Sequence, residues 1–431
     1  MYGRSRVSLD AAGTLDPDRA RMFLITDLER VDYSMTDDPA VKNIRHEVAE
    51  FLRSYEPSAM DRIEFLRARF DAGLAWVDYP YGLGGRGLSR SLQATVDEAF
   101  LAADAPDNAP HLNVIGLGMA APTLMRYASD VDKKRWLRPL WTGEEVWCQL
   151  FSEPGAGSDL ATAGTKAVRE GDDWIVSGQK VWTSLAHEAS WALLIARTDP
   201  AEPKHRGLSY FVCDMSSPGI EVRALRQLTG EAEFNEVFLD DVRIPDANRL
   251  GAPGDGWKVT QTTLMNERVA IGAGITPREG GPIGFLCRTW RAGARGSTPR
   301  ATLDRVLQLW ERAEAARLTT VRLRQQMEAG LPGPEGSGAK LTYAILAQDI
   351  SRTEVDLLGD EGMRFDDYSF RRPDLDEEAS RPGTYRYLRT KGNSIEGGTS
   401  EIMRNIIAER ILGLPPEPRV DIDIAWNELT R

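Results

Sequence analysis

The spacing of apolar residues divides the chain into three regions. In the first, from "VKNIRHEVAEFL" to "DKKRWLRPLWTGEE", apolar side chains recur every three or four residues, which is the period of an amphipathic helix. Turn-forming clusters such as "ADAPDNAP" interrupt this pattern. The pattern predicts an N-terminal α-helical domain at residues 39–148, preceded by an extension at 1–38 that is either a flexible arm or a partner-contacting segment.

The second region, residues 149–254, has short runs rich in β-branched and aromatic residues. Examples are "DWIVSGQKVWTS", "SWALLIART", "LSYFVCDM" and "NEVFLDDVRIP". Such runs predict strands. Because no long helical segment separates them, we expect antiparallel pairing in a barrel or sandwich rather than a parallel sheet.

The third region, residues 255–420, returns to the helical period. It contains "WKVTQTTLMNERVAIGAG", "TLDRVLQLWERAEAARLTTVRLRQQMEAG", "GAKLTYAILAQDISRTEVDLLG" and "TSEIMRNIIAERILG". Four amphipathic helices predict a four-helix bundle, followed by a tail at 421–431. The fold class is therefore α+β, with a helical domain, an antiparallel β domain and a C-terminal bundle.

Composition narrows the class of protein. The 431 residues are 42% hydrophobic and carry a formal net charge of -12, which disfavours nucleic acid or an anionic membrane as the main partner. No apolar run approaches the length of a membrane span, and the N-terminus lacks a signal peptide, so we expect a soluble cytoplasmic protein. The three cysteines lack C-x-x-C spacing, so neither a zinc site nor a disulfide scaffold is indicated, and no metal is expected.

One glycine-rich loop, "GLGGRG", matches the dinucleotide-binding pattern G-x-G-x-x-G literally. That pattern requires a buried strand immediately before the glycines. Here the preceding residues are "AWVDYPY", in which an Asp and a Pro oppose a central strand. The prediction is a plain loop.

A carboxylate in the helical segment "TTLMNERVAIGAG" faces an apolar stripe. The helical repeat places Glu267 on one face with Leu264, Ala270 and Ile271. Taken alone, an inward Glu is either a buried ion pair, for example with Arg268, or a catalytic base.

Several motifs together resemble the acyl-CoA dehydrogenase family. "QLFSEPGAGSDLATAGTKA" and "DDWIVSGQKVWTSLAHEASWALLIART" are followed by "NEVFLDDVRIP", "GAPGDGWKVTQTTLMNERVAIG" and "IEGGTSEIMRNIIAERILGLP", in the family's order and spacing. The resemblance covers residues 40–415. It implies the three-part fold described above and an FAD-dependent enzyme that desaturates an acyl-CoA thioester.

The resemblance also implies the ligand contacts. In "SEPGAGSD", small residues beside hydroxyl groups allow the backbone to approach a flat ligand, and in "GQKVWTS" the indole offers an aromatic face. By resemblance, FAD contacts are expected at Gln149, Phe151, Ser152, Trp182, Ser184, Thr399 and Glu401. Substrate contacts are expected at Ser158 and Arg268, and Ser184 replaces the family's usual threonine.

The family reaction removes a proton from Cα while hydride leaves Cβ for flavin N5, giving a trans-2-enoyl-CoA. In most members the base is the Glu of a terminal "E-G-T-S", but here that position is Gly397, whose backbone N–H is expected to polarise the thioester carbonyl. In a minority of members the base lies on the first bundle helix, at the position of Glu267. Glu267 is therefore the first candidate for the base, and Glu396 is the second.

The missing side chain at Gly397 leaves space for a branched, cyclic or bulky acyl group. The terminal segment also looks like that of members that degrade bulky side-chain acids. Whether CoA or a carrier protein bears the acyl group is left open. An electron-transfer flavoprotein is the expected electron acceptor.

Two family features are not recognisable. The Arg-Phe-Gly-Gln set that contacts a neighbouring subunit's FAD is absent from "FLCRTWRAGARGSTPRATLDRV", and Asp356 and Asp360 occupy the region that normally cradles the FAD pyrophosphate. Either FAD is held differently or another chain completes the site, in a homotetramer or in a heterotetramer with a paralogous subunit. Two alternatives therefore stay open, a non-catalytic partner subunit and a flavin monooxygenase of the same fold.

Overall fold

The computed structural model describes residues 38–272, 277–293, 299–328, 333–365, 367–373 and 381–429. For residues 267–272 and 327–328 it describes the helical backbone alone. Apart from Asp38, the predicted N-terminal extension therefore lies outside the described residues. The chain forms two compact units, the smaller containing residues 38–60 and 91–105 and the larger containing the rest.

The smaller unit is built from two helices, α1 (Pro39–Ser54) and α3 (Gln93–Ala102). Helix α1 begins where the Asp38 carboxylate accepts a hydrogen bond of 2.8 Å from the Ala40 amide, which caps the helix. Phe51 is buried and meets Phe100 edge to face, with ring centroids 5.7 Å apart. The helical period of this region is therefore confirmed.

The larger unit begins with α2 (Arg62–Asp71), α4 (Ala121–Tyr127) and α5 (Asp130–Thr142). The loop "GLGGRG" follows α2 with no strand before it, as predicted. Its shape requires glycine, since a Cβ added at Gly85 would lie 2.1 Å from the Tyr79 carbonyl oxygen.

The middle of the chain forms one eight-stranded sheet. Its strands are β1 (Trp147–Leu150), β2 (Lys166–Glu170), β3 (Asp173–Ser184), β4 (Trp191–Arg197), β5 (Leu208–Asp214), β6 (Ile220–Ala224), β7 (Phe234–Pro245) and β8 (Arg249–Leu250). Their order is β6-β7-β3-β2-β4-β5-β8, with β1 also paired to β4.

Five of the seven strand pairings are antiparallel, but β1 and β2 run parallel to β4. The sheet is therefore mixed rather than purely antiparallel. The central strands are apolar on both faces: alternate residues of β4 and β5 contribute to two different core clusters. Burial on both faces explains their continuous apolar runs, which are also typical of parallel strands.

The C-terminal region contains α6 (Gly256–Gly272), α7 (Pro282–Gly293), α8 (Arg300–Glu328), α9 (Gly336–Leu358), α10 (Gly383–Arg389) and α11 (Ser400–Ile406). The helical region is confirmed, and α7 and α10 add to the four predicted helices. Leu286 of α7 is fully buried in a cluster with Leu309 of α8 and Ile350 of α9. The fold thus follows the predicted order of helices, strands and helices.

A half-buried carboxylate, Asp246, lies between β7 and β8. Asp246 accepts hydrogen bonds from Arg249 Nε at 2.8 Å and Trp174 Nε1 at 2.7 Å, and these bonds lower the pKa of Asp246 to about 2. An unfolded Asp has a pKa of about 3.9. This carboxylate therefore stabilises the fold above about pH 4, and that stabilisation disappears as the pH falls towards 2.

We expect Asp246→Asn to lower stability at neutral pH and to flatten the acid limb of the stability profile between about pH 4 and pH 2. Urea unfolding measured at several pH values checks this, with the exposed Asp240→Asn as the matched control. An acid limb as steep in Asp246→Asn as in the unsubstituted protein would contradict the assignment.

Candidate active site

A β-bulge in β3 presents Trp182. The pairing of β3 with β7 shifts register between Lys180 and Thr183, and Trp182 adopts a left-handed backbone with φ of +59°. Few non-glycine residues adopt this conformation, and such strain is concentrated at functional sites. The bulge leaves 57% of Trp182 exposed, with one ring edge against Phe234 at a centroid distance of 5.8 Å. An aromatic face is thus available to a planar ligand.

The loop "SEPGAGSD" is fastened to β3 by a buried lysine. Lys180 is fully buried, and its Nζ donates to the Phe151 carbonyl at 3.0 Å and to Glu153 Oε1 at 2.8 Å. One residue along, the Val181 amide donates to the Ser152 carbonyl at 2.9 Å. These bonds bring Phe151 and Ser152 beside the segment that carries Trp182.

Glu153 completes this ion pair and stays ionised. Its two carboxylate oxygens also accept the amides of Gly164 and Thr165 at 2.7 and 2.9 Å. Burial by itself raises the pKa of Glu153, but the Lys180 charge and these donors outweigh burial, and the net pKa is lowered. Burial lowers the pKa of Lys180 despite the same partner. The position of the loop therefore depends on a charge pair whose lysine is fully buried and whose glutamate is largely buried.

Two buried polar atoms, one in β1 and one in β3, have the chemistry to meet the ring end of a flavin. Gln149 Oε1 and Thr183 Oγ1 are buried and have no hydrogen-bond partner among the described residues. Ser184 is half-buried, and a Cβ at Gly155 or Gly157 would meet no atom within 4 Å. Buried polar atoms without partners are rare in native folds unless a ligand or water satisfies them. A flavin ring, with its alternating donors and acceptors, has the required chemistry.

The end of α9 does not fit the pyrophosphate of FAD. Asp356, Asp360 and Glu361 are all exposed at the C-terminal end of this helix. Like-charged carboxylates and the negative end of the helix dipole both repel a phosphate. The residues described here therefore match one end of FAD and not the other.

Two glycines form the turn before α11. Gly397 and Gly398 have φ values of +63° and +90°, in the region that favours glycine. The Thr399 hydroxyl caps the helix by accepting the Ile402 amide at 3.2 Å. Within the described part of the chain, the Gly397 amide donates to no acceptor, so it is available to a ligand carbonyl.

Glu396, the second candidate for the base, forms an ion pair with Arg389. Both carboxylate oxygens of Glu396 lie 3.2 Å from Arg389 Nη1. Burial lowers the pKa of Arg389, but the charges of Glu396 and Glu233 outweigh it and raise the net value. Arg389 also lies 5.7 Å from the Phe234 ring, which contacts Trp182. Arg389 and Phe234 thus join the turn beside Glu396 to the bulge of β3.

The first candidate, Glu267, lies on α6 together with Arg268, and both side chains are outside the described residues. One turn earlier, Thr263 Oγ1 is buried and lies 3.0 Å from Thr123 Oγ1 and 2.8 Å from the Tyr210 hydroxyl. These hydroxyls anchor α6 to α4 and β5 at that level. The hydrophobic pattern did not reveal this network, because it treats threonine in a helix as neutral.

Two other predicted contact residues are exposed. Ser158 faces solvent in its loop, and Glu401 is exposed and pairs with Arg404 at 3.2 Å in the first turn of α11. Neither contacts the indole of Trp182 or the turn at Gly397 through any described bond. Their roles towards CoA and FAD remain predictions.

The C-terminal tail packs on the sheet, which the sequence did not predict. Lys204 Nζ binds Asp159 at 2.6 Å and Asp421 at 2.5 Å, joining the tail to the residue after Ser158. Further along, Trp426 Nε1 donates to the Thr162 carbonyl at 3.0 Å. A tryptophan in an otherwise polar tail is the sequence feature that could have indicated this packing.

Removing the Trp426 side chain should release the C-terminal tail. The Arg197 guanidinium lies 4.8 Å from the Trp426 ring centroid, a cation–π contact worth about 0.5–2 kcal/mol. We expect Trp426→Ala to lower the free energy of unfolding by about 1–3 kcal/mol and to expose the tail to protease. Limited proteolysis followed by mass spectrometry checks this. The exposed Asn427→Ala is the control, and an uncleaved tail in Trp426→Ala would contradict it.

The described residues also include metal-ligating and thiol side chains. No three of their His, Cys, Asp and Glu side chains are grouped as metal ligands, and none of their helices is long and apolar enough to cross a membrane. Cys148 and Cys213 are buried, and burial raises the pKa of both thiols, that of Cys213 to about 12. Both thiols are therefore protonated and poor nucleophiles.

The chain matches three domain models of acyl-CoA dehydrogenases. The N-terminal domain matches residues 32–144, the middle domain residues 148–242 and the C-terminal domain residues 254–412. The chain therefore belongs to the acyl-CoA dehydrogenase family and is an oxidoreductase of that class. The family is FAD-dependent in general.

Relatives and solved structures agree with this family. "Acyl-CoA dehydrogenase IpdE1" of Mycobacterium tuberculosis is 38% identical over 348 residues, covering 81% of this chain and 86% of the relative. A structure described as the "Tcur3481-Tcur3483 steroid ACAD" is similar with a TM-score of 0.66 at 25% identity, over 88% of this chain and 98% of that one. The ChsE4-ChsE5 complex from Mycobacterium tuberculosis has a TM-score of 0.64 at 27% identity, over 88% and 99%.

Proposed function

We propose that this protein catalyses the α,β-desaturation of an acyl-CoA thioester, with Glu267 as the base that removes the Cα proton. The assignment of Glu267 as the base is supported by the engagement of the neighbouring carboxylate. The family's usual base position is Gly397, and the neighbouring carboxylate, Glu396, is held by Arg389 through both oxygens. A carboxylate that accepts from a guanidinium through both oxygens must leave that partner before it reaches a Cα proton. The remaining family position for a base is Glu267.

Different residues of this chain are proposed to bind the cofactor, to polarise the thioester and to remove the proton. FAD, when bound, supplies the acceptor for the hydride that leaves Cβ. Trp182, Gln149 and Ser184 hold and orient the ring end of the cofactor. The Gly397 amide donates to the thioester oxygen, where negative charge develops as the Cα proton leaves. Glu267 takes that proton, and its position on α6 is supported by the hydroxyl network one turn earlier.

The acyl group is proposed to be branched, cyclic or bulky. Glycine at position 397 leaves the space that a glutamate side chain occupies in most of the family. One similar structure is described as a steroid ACAD, and a steroid is a bulky ring system. Support for this finer assignment comes from that likeness and from the glycine.

Assembly with other chains is part of the proposal. Because the acids at the end of α9 repel a phosphate, a paralogous subunit is proposed to supply the missing half of the FAD site, in a heterotetramer. The similar ChsE4-ChsE5 structure is, by its description, a complex of two different proteins. An electron-transfer flavoprotein is the proposed acceptor, and the proposed compartment is the cytoplasm.

The same acids favour one alternative, a non-catalytic subunit that completes another chain's flavin site. Purification of the chain alone and with its paralogue separates the two. A yellow protein whose flavin absorbance is bleached anaerobically by one member of a panel of branched, cyclic and straight acyl-CoAs supports the enzyme. A complex that is bleached equally well when this chain carries Glu267→Gln supports the non-catalytic role.

A further inference from the structure

A buried lysine lies directly behind the Gly397 turn. Lys340 of α9 is only 3% exposed, and its Nζ donates to the Asn393 carbonyl at 2.9 Å and to the Gly398 carbonyl at 2.5 Å. These two carbonyls are on either side of Gly397. An ammonium group is seldom buried, because the loss of hydration is costly unless partners replace the water.

Lys340 belongs to a polar stripe along α9 that binds the segment 386–398. Gln348 Nε2 donates to the Thr390 carbonyl and to Ser394 Oγ, both at 3.1 Å. The stripe also contains Ser351, which lies 3.0 Å from the Thr390 hydroxyl, and Glu354, which binds Arg386. Residues three, four and eight positions apart share a helix face. One rigid helix therefore sets the position of the whole segment.

The contact with Gly398 acts on the turn itself. Gly397 and Gly398 both have positive φ, and glycine tolerates many backbone conformations, so local sequence does not hold this turn in one shape. Lys340 binds the chain before the turn and immediately after it, which restricts rotation of the peptide that carries the Gly397 amide.

In addition to its hydrogen bonds, the ammonium charge of Lys340 has an electrostatic effect. Its nearest described acceptor is the carbonyl of Gly398, one residue from the Gly397 amide. A positive charge near a bound oxygen stabilises negative charge that develops on it, and the effect is larger where protein rather than bulk water surrounds the charge.

We propose that Lys340 is a positioning residue for the thioester carbonyl: it holds the Gly397 amide in its donating orientation and stabilises the enolate form of the bound thioester. This inference rests on the proposed function, because it assigns the thioester oxygen to the Gly397 amide. It adds a residue that lies on α9, far in sequence from the turn that carries this amide.

The test uses acetoacetyl-CoA as the probe, bound to the holoprotein together with any paralogous subunit that copurifies. This probe becomes an enolate by losing a proton, and the enolate is followed by its ultraviolet absorbance as the pH is raised. Binding to the unsubstituted protein should favour the enolate. In Lys340→Met the preference should fall by roughly 10- to 100-fold, as expected for a lost charge near an oxyanion site. Binding of the neutral probe should change by less than about threefold.

Three further variants make the result decisive. Thr353→Val, on the same helix and buried, loses only a bond within the helix and should behave as the unsubstituted protein. Lys340→Gln keeps a donor without the charge and should behave as Lys340→Met. If Lys340→Met does not fold, Lys340→Gln and Lys340→Arg decide, because Arg keeps the charge and should retain the enolate preference.

The experiment distinguishes a failure of the role of Lys340 from a failure of the proposed function. An unsubstituted protein that binds the probe without favouring its enolate contradicts the proposed function. A protein that favours the enolate equally with Lys, Met or Gln at position 340 overturns the role of Lys340 and leaves the proposed function standing. An equal loss in Arg and Gln variants also overturns the charge effect.

Discussion

Glu267→Gln is expected to slow the anaerobic bleaching of bound flavin by acyl-CoA by roughly 10²- to 10⁴-fold, the range for loss of a general base. The substitution keeps the size of the side chain and removes its ability to accept the Cα proton. Stopped-flow absorbance measures the rate, and the ratio of flavin to protein absorbance shows that FAD remains bound. Bleaching at the original rate would remove Glu267 from the mechanism.

Glu396→Gln is the matched control. It removes one of the two carboxylates paired with Arg389, the other being Glu233 at 3.5 Å. We expect the bleaching rate to change by less than about tenfold, because the Glu396 carboxylate forms a structural ion pair. If Glu396→Gln abolishes bleaching and Glu267→Gln does not, the base is Glu396.

The largest expected effect on stability comes from Lys180→Met. Removing one partner of a buried ion pair leaves the Glu153 carboxylate without its compensating charge, which typically costs about 3–5 kcal/mol. We expect a loss of this size in urea unfolding at neutral pH. We also expect lower FAD content, because the Phe151 and Ser152 loop loses its attachment to β3.

Lys166→Met is the control for Lys180→Met. Lys166 is exposed on the neighbouring strand β2, and its substitution should change the free energy of unfolding by less than about 0.5 kcal/mol. Equal stability of Lys180→Met and Lys166→Met would mean that the loop is held in another way. A stable Lys180→Met protein without FAD would separate the role in binding from the role in folding.

The order of elements was predictable because each region has one dominant hydrophobic period. The long helices α8 and α9 and the strands β3 and β7 carry enough repeats to be recognised. Helix α10 spans only Gly383–Arg389, too short for a period to show. The parallel pairing of β1 with β4 was missed, because a strand buried on both faces carries no signal of direction.

Candidate site residues could be proposed from the sequence where a motif is contiguous, and their roles stay predictions. "GQKVWTS" and "EGGTSEI" identified Trp182 and Gly397 through a family resemblance, although neither motif shows how the two segments meet. Lys340 and Arg389 gave no such signal, since each lies in an ordinary helical segment. Their partners are carbonyl groups and carboxylates brought near only by folding.

The sequence by itself determined the class of enzyme, the order of its helical and β regions and the absence of the usual base at Gly397. These are properties of local residue types, because a hydrophobic period or a motif is complete within a short segment. Only the tertiary structure decided that Glu396 is held by Arg389, that Lys180 fastens the "SEPGAGSD" loop and that Lys340 supports the Gly397 turn. Each of these contacts joins a charged side chain to a group on another element. Such pairing is set by the packing of buried elements, where an unpartnered charge is too costly to remain.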